Sequence, residues 1–212
     1  MMKGIWFDEI HSFEHLNLVL SNVKIPPASP KKTYVTIPGS DGSIDLTEAL
    51  GEVRFKDREC TFTFTVFPYE DFEEKKTYIS NLLNGKRCKI ILDKDPEYYW
   101  DGRCSINSYA SDKNLNKITV GVTVAPYKLK TRPTTVTVLS GESVDVTLEN
   151  GRKTVVPTII AHEDAKIIFG GNTYDIKAGT HNILNIELKY GKNYAKVTST
   201  GTVEFVYQEG DL

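Results

Sequence analysis

Apolar and polar residues alternate along most of this chain, and this period constrains the fold more than any other feature of the sequence. The clearest run is residues 59–67, where Cys60, Phe62, Phe64 and Val66 are separated by threonines. Further runs with the same period are residues 88–93, 103–107 and 118–124. A period of two is typical of a β-strand with one buried face and one face towards water or a partner. The sequence therefore predicts mainly β-sheet up to about residue 125.

One segment follows a helical period instead. Its apolar positions are Phe72, Ile79, Leu82 and Leu83. This spacing places them on one stripe of a helix. Asp71 followed by Glu74 has the form of a capping box, and Gly85 suits the position just after a helix end. We expect one helix at about residues 71–84, packed on the sheet.

The period stops at residues 125–133, where two prolines and three basic residues indicate a linker. Short β-like runs with Gly-rich turns follow, at 135–139, 144–148, 155–161, 166–169, 173–176, 182–188, 194–198 and 202–207. Many short strands at this spacing are typical of a β-sandwich. We expect two domains, residues 1–130 and 131–212, in a mainly β protein with one α-helix.

Charge and hydropathy exclude two classes of partner. Lys and Arg number 26 against 28 Asp and Glu, and no basic stripe is present, which argues against sequence-specific nucleic-acid binding. No window approaches the roughly 20 apolar residues of a membrane span. Ile5-Trp6-Phe7 is too short for the core of a signal peptide. We expect a chain that is made and folded in the cytoplasm without a membrane partner.

The three cysteines, Cys60, Cys88 and Cys104, form neither a disulfide framework nor a zinc pattern. Each falls on the apolar face of a β-like run. We expect reduced thiols buried in the core.

His11-Ser12-Phe13-Glu14-His15 fits the H-x-x-E-H spacing that some zinc peptidases place on a helix. The alternation of Leu16, Leu18 and Leu20 predicts a strand directly after it, so the favoured interpretation is a polar turn between two strands. A metalloenzyme built on His11 and His15 remains the alternative.

Other motifs favour structural interpretations. Residues 93–97 open like a calcium loop but lack its turn glycine, and we interpret them as an acidic turn beside aromatic residues. Gly39-Ser40-Asp41-Gly42 is interpreted as a tight turn. His162 and His181 are expected in turn-like surface segments without an evident partner. Tyr98, Tyr99 and Trp100 are expected at an interface or in the core, with sugar stacking as the alternative.

Several motifs occur in an order that is similar to one known family. They are Gly4-Ile5-Trp6-Phe7, His11-Ser12-Phe13, Leu18-Val19-Leu20, Ile25-Pro26-Pro27, residues 35–47, residues 59–64, residues 82–86 and residues 98–103. In this order they resemble the distal tail protein (Dit) family of siphophages, found in phages and prophages of Gram-positive bacteria. The resemblance covers residues 1–130, and beyond them only the pattern of short strands is similar.

The resemblance implies a β-sandwich or split-barrel N-terminal domain that forms a homohexameric ring, single or stacked. It also implies a small C-terminal β-sandwich of galectin or carbohydrate-module type. The ring would join the tail tube protein to the tail-tip hub at the virion tail tip. The family brings no catalytic residue, metal or cofactor. The expected motif and assembly residues are Gly4, Phe7, Ser12, Pro38, Gly39, Asp41, Gly42, Asp45, Tyr99, Gly102 and Arg103.

Two physical arguments agree with a ring. Closed assemblies can pair sheet edges that would otherwise promote aggregation. The net charge of -2 suits a channel that passes DNA without holding its phosphates. The competing function is a carbohydrate- or receptor-binding module, although residues 131–212 contain no Trp.

Overall fold

A computed structural model describes residues 4–49, 51–67, 71–112 and 115–212. The chain forms two compact units, Met1–Pro126 and Tyr127–Leu212. No helix in the described residues is long and apolar enough to cross a membrane.

The first unit consists of one antiparallel sheet, one helix and a separate hairpin. Its elements are β1 (Ile5–Phe7), β2 (Ile10–His11), β3 (Leu18–Lys24), β4 (Tyr34–Val35), β5 (Ile44–Asp45), β6 (Arg58–Val66), α1 (Phe72–Leu83), β7 (Arg87–Leu92), β8 (Asp95–Asp112) and β9 (Leu115–Val124). Seven strands follow the order β2-β1-β7-β8-β9-β6-β3, with antiparallel neighbours throughout. Strands β4 and β5 form a two-stranded sheet of their own.

Strands β6 and β9 form the centre of the first core. Phe62 pairs with Val120 and Phe64 with Ile118, and all four side chains are fully buried. Between them Thr63 pairs with Thr119 on the opposite face. The predicted alternation is confirmed. The three cysteines are also buried in this core, as predicted.

Helix α1 covers one side of this core. Asp71 Oδ1 accepts hydrogen bonds from the backbone N–H groups of Glu73, at 2.9 Å, and Glu74, at 3.1 Å. These bonds satisfy two donors that the first turn leaves free. Gly85 has a φ of +79°, which glycine adopts without steric cost. Ile79 and Leu83 are buried, so the predicted helix and its apolar stripe are confirmed.

The second unit is a β-sandwich. Its strands are β10 (Lys128–Lys130), β11 (Thr134–Val138), β12 (Gly141–Asn150), β13 (Thr158–Ala161), β14 (Ala165–Phe169), β15 (Asn172–Ile176), β16 (Gly179–Asn182), β17 (Gly191–Ser199), β18 (Val203–Tyr207) and β19 (Gly210–Asp211). Two four-stranded sheets have the orders β11-β18-β13-β16 and β12-β17-β14-β15. Side chains from both sheets share one core, including Leu148, Ile159, Ile167, Val197 and Phe205. The predicted class, mainly β with a single helix in the described residues, is confirmed.

The predicted linker is partly wrong, because Lys128–Lys130 forms a strand. Leu129 pairs with Gly210, and Lys130 Nζ lies 2.7 Å from Glu209 Oε1. The partner strand comes from the other end of the unit, so local sequence gave no sign of it.

The predicted strand at 182–188 is also wrong over most of its length. Strand β16 ends at Asn182, and the backbone N–H of Ile186 donates to the carbonyl of Ile183 in a turn. Ile186 and Leu188 are fully buried without belonging to a strand. His181 lies in β16, and its Nε2 is 2.7 Å from the carbonyl oxygen of Lys177, so it does have a partner.

Truncating the core at Phe64 should destabilise the first unit. We expect Phe64→Ala to lower its free energy of unfolding by about 3–5 kcal/mol, because a large buried side chain leaves a cavity. Urea unfolding followed by tryptophan fluorescence measures this, since both tryptophans, Trp6 and Trp100, lie in the first unit. Thr63→Ala, on the opposite face of β6, is the control and should cost well under half as much.

The buried thiols should be unreactive in the native protein. Burial raises the pKa of Cys104 to about 12 and that of Cys60 to about 11. A raised pKa lowers the thiolate fraction, and the thiolate is the nucleophile. We expect an aromatic disulfide reagent at pH 8 to label three thiols after denaturation and fewer than one in the native state. Rapid native labelling would contradict this placement.

Candidate functional site

A long hairpin projects from the first unit between β3 and β6. We call residues 29–56 the arm. At its base the backbone N–H of Lys56 donates to the carbonyl of Ser29 at 2.8 Å, and that of Lys31 to the carbonyl of Arg54 at 2.7 Å. Farther out, Tyr34 pairs with Asp45 and Val35 with Ile44. The arm is therefore held together by its own backbone hydrogen bonds.

The turn of the arm has the residues that its backbone requires. Gly39 and Gly42 have φ values of +83° and +75°, a region that costs other residues steric strain. Pro38 precedes them, and Asp41 lies between them, exposed. The predicted tight turn at Gly39–Gly42 is confirmed.

Asp45 rigidifies the returning strand. Its Oδ1 accepts a hydrogen bond from the backbone N–H of Thr47 at 2.9 Å. Hydrogen bonds from Thr47 lower the pKa of the Asp45 carboxyl below its ordinary value. Thr33 N–H in turn donates to Thr47 Oγ1 at 3.1 Å, which links the two sides of the arm.

The described residues of the arm do not form a core of their own. No described residue between 29 and 57 is buried. Five large apolar side chains of the arm are exposed: Tyr34 (53%), Val35 (44%), Ile37 (45%), Ile44 (49%) and Leu46 (40%). An isolated two-stranded hairpin is marginally stable in water, and contiguous exposed apolar residues mark interaction sites. The arm is the strongest candidate contact surface of the first unit.

A second group of candidate residues lies around the carboxylate of Asp93, whose side chain is 27% exposed. Asp93 Oδ2 accepts a hydrogen bond from the backbone N–H of Gly4 at 2.6 Å and lies 3.1 Å from His11 Nε2. Asp93 Oδ1 accepts from Trp6 Nε1 at 3.2 Å. Ser12 Oγ accepts from the backbone N–H of Ile5 at 3.1 Å. These bonds join the start of the chain to the turn after β7.

Close packing explains the glycine in this network. A Cβ on Gly4 would lie 2.2 Å from His11 Nε2 and 3.0 Å from Ser12 Oγ. Any other residue would displace the imidazole from Asp93. Phe7, on the same strand, is buried with its ring centroid 6.2 Å from that of Phe64.

The H-x-x-E-H motif forms a turn between β2 and β3, as predicted, and its residues His11 and Ser12 are buried. His11 Nδ1 accepts a hydrogen bond from the backbone N–H of Glu14, which leaves the proton on Nε2 to donate to Asp93. His15 Nδ1 accepts from the backbone N–H of His11 at 2.9 Å. Nδ1 and Nε2 of His11 and Nδ1 of His15 thus each form a hydrogen bond within the protein. Across the described ranges, no group of three His, Cys, Asp or Glu side chains is placed to hold a metal ion.

The third group lies on β8. A Cβ on Gly102 would lie 2.5 Å from Val124 Cγ1, so the close approach of β8 and β9 requires glycine. Arg103 Nη1 donates to the carbonyl of Gly85, just beyond α1, at 2.6 Å. Tyr99 is half-buried with Lys89 Nζ 5.1 Å from its ring centroid. These contacts hold β8 against its neighbours.

The sequence-predicted residues thus occupy three places in the first unit. Pro38, Gly39, Asp41, Gly42 and Asp45 come together in the arm. Gly4 and Ser12 meet at the Asp93 network, with Phe7 in the adjacent core. Sequence reasoning missed Asp93 as the centre of that network, and 82 residues separate it from His11.

Comparison with known proteins gives a structural match only. No protein-family model matches the chain, and no curated protein does. The crystal structure of SPP1 Dit (gp 19.1), described as a paradigm of the hub adsorption apparatus in Gram-positive infecting phages, matches with a TM-score of 0.72. The match covers 98% of this chain and 99% of that chain at 17% sequence identity. The chain therefore has a Dit-like fold, and that part of the resemblance is confirmed.

Removing the central carboxylate should loosen the start of the chain. We expect Asp93→Ala to lower the free energy of unfolding of the first unit by about 1–3 kcal/mol, because it leaves buried or half-buried donors without an acceptor. The effect should couple to that of His11→Ala by more than about 0.5 kcal/mol in a double-mutant cycle. Glu9→Ala, exposed in the β1–β2 turn, is the control; additivity of the two changes would rule out the network.

Proposed function

We propose that this chain is a non-enzymatic structural protein of a phage tail, located at the tail tip. In this role six copies form a ring, single or stacked with a second ring. The ring joins the tail tube protein to the tail-tip hub and is assembled in the bacterial cytoplasm. The Dit-like fold over the whole chain supports a role of this kind.

The arm is the observation that carries the proposal. Its apolar side chains gain little from the protomer, because no described residue of the arm is buried. Covering them with a neighbouring copy removes apolar surface from water, at roughly 25 cal/mol per Å². An arm that contacts a different surface on its neighbour makes a heterologous contact, and such contacts form a ring when the rotation between neighbours closes.

The edge of the main sheet supports the same arrangement. Strand β3 ends the strand order, and in the described part of the chain no strand pairs with its outer edge. Its seven residues carry a bulge at Ser21, whose hydroxyl donates to the carbonyl of Thr63. Open edges invite pairing with another chain, and ring closure covers every such edge.

The outer face of the main sheet suits the wall of a channel. Opposite the core, Thr61, Thr63 and Thr65 of β6 adjoin Thr119 and Thr123 of β9, and the same face of these two strands carries one charge of each sign, Glu59 and Lys117. Hydroxyl groups carry no charge and hold phosphates less tightly than a cationic surface does. We propose that this face lines the path of the DNA.

Assembly of the purified protein tests the proposal. Light scattering at high protein concentration should give six or twelve times the 23.8 kDa of one chain, and negative-stain images should show annular particles. Tyr34→Ser combined with Ile44→Ser should shift the protein to monomers, because it removes two of the exposed apolar groups of the arm.

The control replaces two exposed leucines of the second unit. Leu139 and Leu184 are 74% and 76% exposed, so Leu139→Ser with Leu184→Ser removes as much surface apolarity outside the arm. This variant should keep the mass of the wild type. A ring that survives the arm substitutions but not the control substitutions would refute the arm as the contact.

A further inference from the structure

We infer that the arm of one copy docks on a cationic surface of the next copy, formed by outward side chains of β7 and β8. The inference rests on the ring proposed above and names the surface that receives each arm. We call Arg87, Lys89, Tyr99, Asp101 and Arg103 the basic face. These side chains alternate with the buried residues of the same two strands.

The arm is acidic beyond its base. Residues 33–53 contain Asp41, Asp45, Glu48 and Glu52 and no Lys or Arg. The side chains of Asp41, Asp45 and Glu48 are exposed. Interfaces between proteins have complementary potentials, and like charges placed opposite one another disfavour association. The acidic residues of the arm therefore favour a receiving surface with a surplus of cations, and they disfavour contact with DNA phosphates.

The basic face has such a surplus. Arg87 pairs with Arg103 across β7 and β8, Lys89 pairs with Asp101, and all three cations are exposed. Arg87 Nε and Nη2 donate to the two carboxylate oxygens of Asp101, each at 2.8 Å. Arg103 donates instead to the neutral carbonyl of Gly85. Like charges directly opposite each other destabilise a sheet, so a carboxylate from another chain would stabilise this pair of arginines.

The arm and the basic face lie at the same level along the strands. Strand β6 begins at Arg58, two residues after the arm ends at Lys56. Arg58 is in register with Val124 of β9, which is in register with Gly102 of β8 and, through it, with Cys88 of β7. The basic face includes the residues on either side of Gly102 and Cys88. An arm that leaves one copy at this level meets the basic face of a copy placed beside it.

The order of the strands makes this contact heterologous. The arm joins β3 to β6, at one end of the order β2-β1-β7-β8-β9-β6-β3, and the basic face lies towards the other end. If the β3 end of one copy faces the β2 end of the next, the basic face begins two strands beyond the seam, roughly 10–20 Å away. The chain from Ser29 to Asp41 spans roughly 40 Å at most when extended, so the arm can reach it.

Apolar groups beside the cations match the apolar side chains of the arm. Tyr99 is half-buried, and Lys89 Nζ lies 5.1 Å from its ring centroid. Trp6 pairs with Ile91, which lies on the same face of β7 as Lys89, and both are half-buried. Aromatic residues and arginine are enriched at protein interfaces. Exposed apolar side chains of the arm, such as Tyr34, can therefore pack here while its carboxylates bind the cations.

Docking of the arm is compatible with the proposed path of the DNA. Neighbouring strands rotate by roughly 20–25° relative to each other, so the three steps from β6 to β7 turn the outer face by roughly 60–75°. The Thr-rich face and the basic face of one sheet therefore point in different directions. An arm on the basic face also covers cations that would otherwise hold DNA phosphates.

Reversal of charge on two separate variants tests the docking. The arm variant carries Asp41→Lys with Glu48→Lys, and the face variant carries Arg87→Glu with Lys89→Glu. Each variant alone should assemble roughly tenfold or more less readily than the wild type, because like charges then meet at every contact. An equimolar mixture should regain six or twelve times the 23.8 kDa of one chain in light scattering. In alternating copies each reversed arm meets a reversed face, and each unchanged arm meets an unchanged face.

Matched reversals in the second unit are the controls. Glu142→Lys with Glu187→Lys, and Lys189→Glu with Lys192→Glu, change exposed side chains and should keep the mass of the wild type. Circular dichroism checks that every variant is folded, and recovery in the mixture shows that both variants are competent to assemble.

Four outcomes would overturn the inference. If either reversed variant assembles alone, or if the mixture stays small, the arm contacts another surface, although it can still be a ring contact. If the controls also lose assembly, the effect belongs to net charge. A wild-type protein that stays monomeric would overturn the ring and this inference together, so the wild-type mass distinguishes the two failures.

Discussion

The pairing of β6 with β9 sets the geometry on which the first unit depends. Each of these strands buries one face and leaves the other for solvent or a partner, so the register between them admits one solution. A slip of a single residue would turn Phe62 and Phe64 outward and bring threonines into the core. Because this register is fixed, the Thr-rich face lies on the side of the sheet away from α1.

Much of this fold was predictable because its signals are local. Alternation in residues 59–67 and 118–124 and the capping residue Asp71 each act within one element, and each was confirmed. The errors have the opposite cause. Strand β10 depends on a partner at Gly210–Asp211, and Ile186 is buried by tertiary packing that needs no strand. The pattern of neighbouring residues in a sequence does not show which distant segments will pair or pack together.

Some parts of the candidate site could likewise be predicted from local sequence, and others could not. The glycines of the arm turn could be recognised from their spacing, since backbone with positive φ selects glycine wherever it occurs. The Asp93 network could not, because it joins residues more than 80 positions apart and includes a histidine whose motif was interpreted only as part of a polar turn. That none of the described arm residues is buried is likewise a property of the whole unit, since the apolar residues of the arm have the same spacing as those of buried strands.

The arm's independence from the core has an evolutionary consequence. Substitutions at Tyr34, Ile37 or Ile44 leave no cavity in the core of the protomer, because none of these side chains is part of it. Selection on these positions therefore comes from whatever surface they contact. In an assembly of the proposed kind, the arm and the surface that receives it can therefore change together while the sheet stays the same.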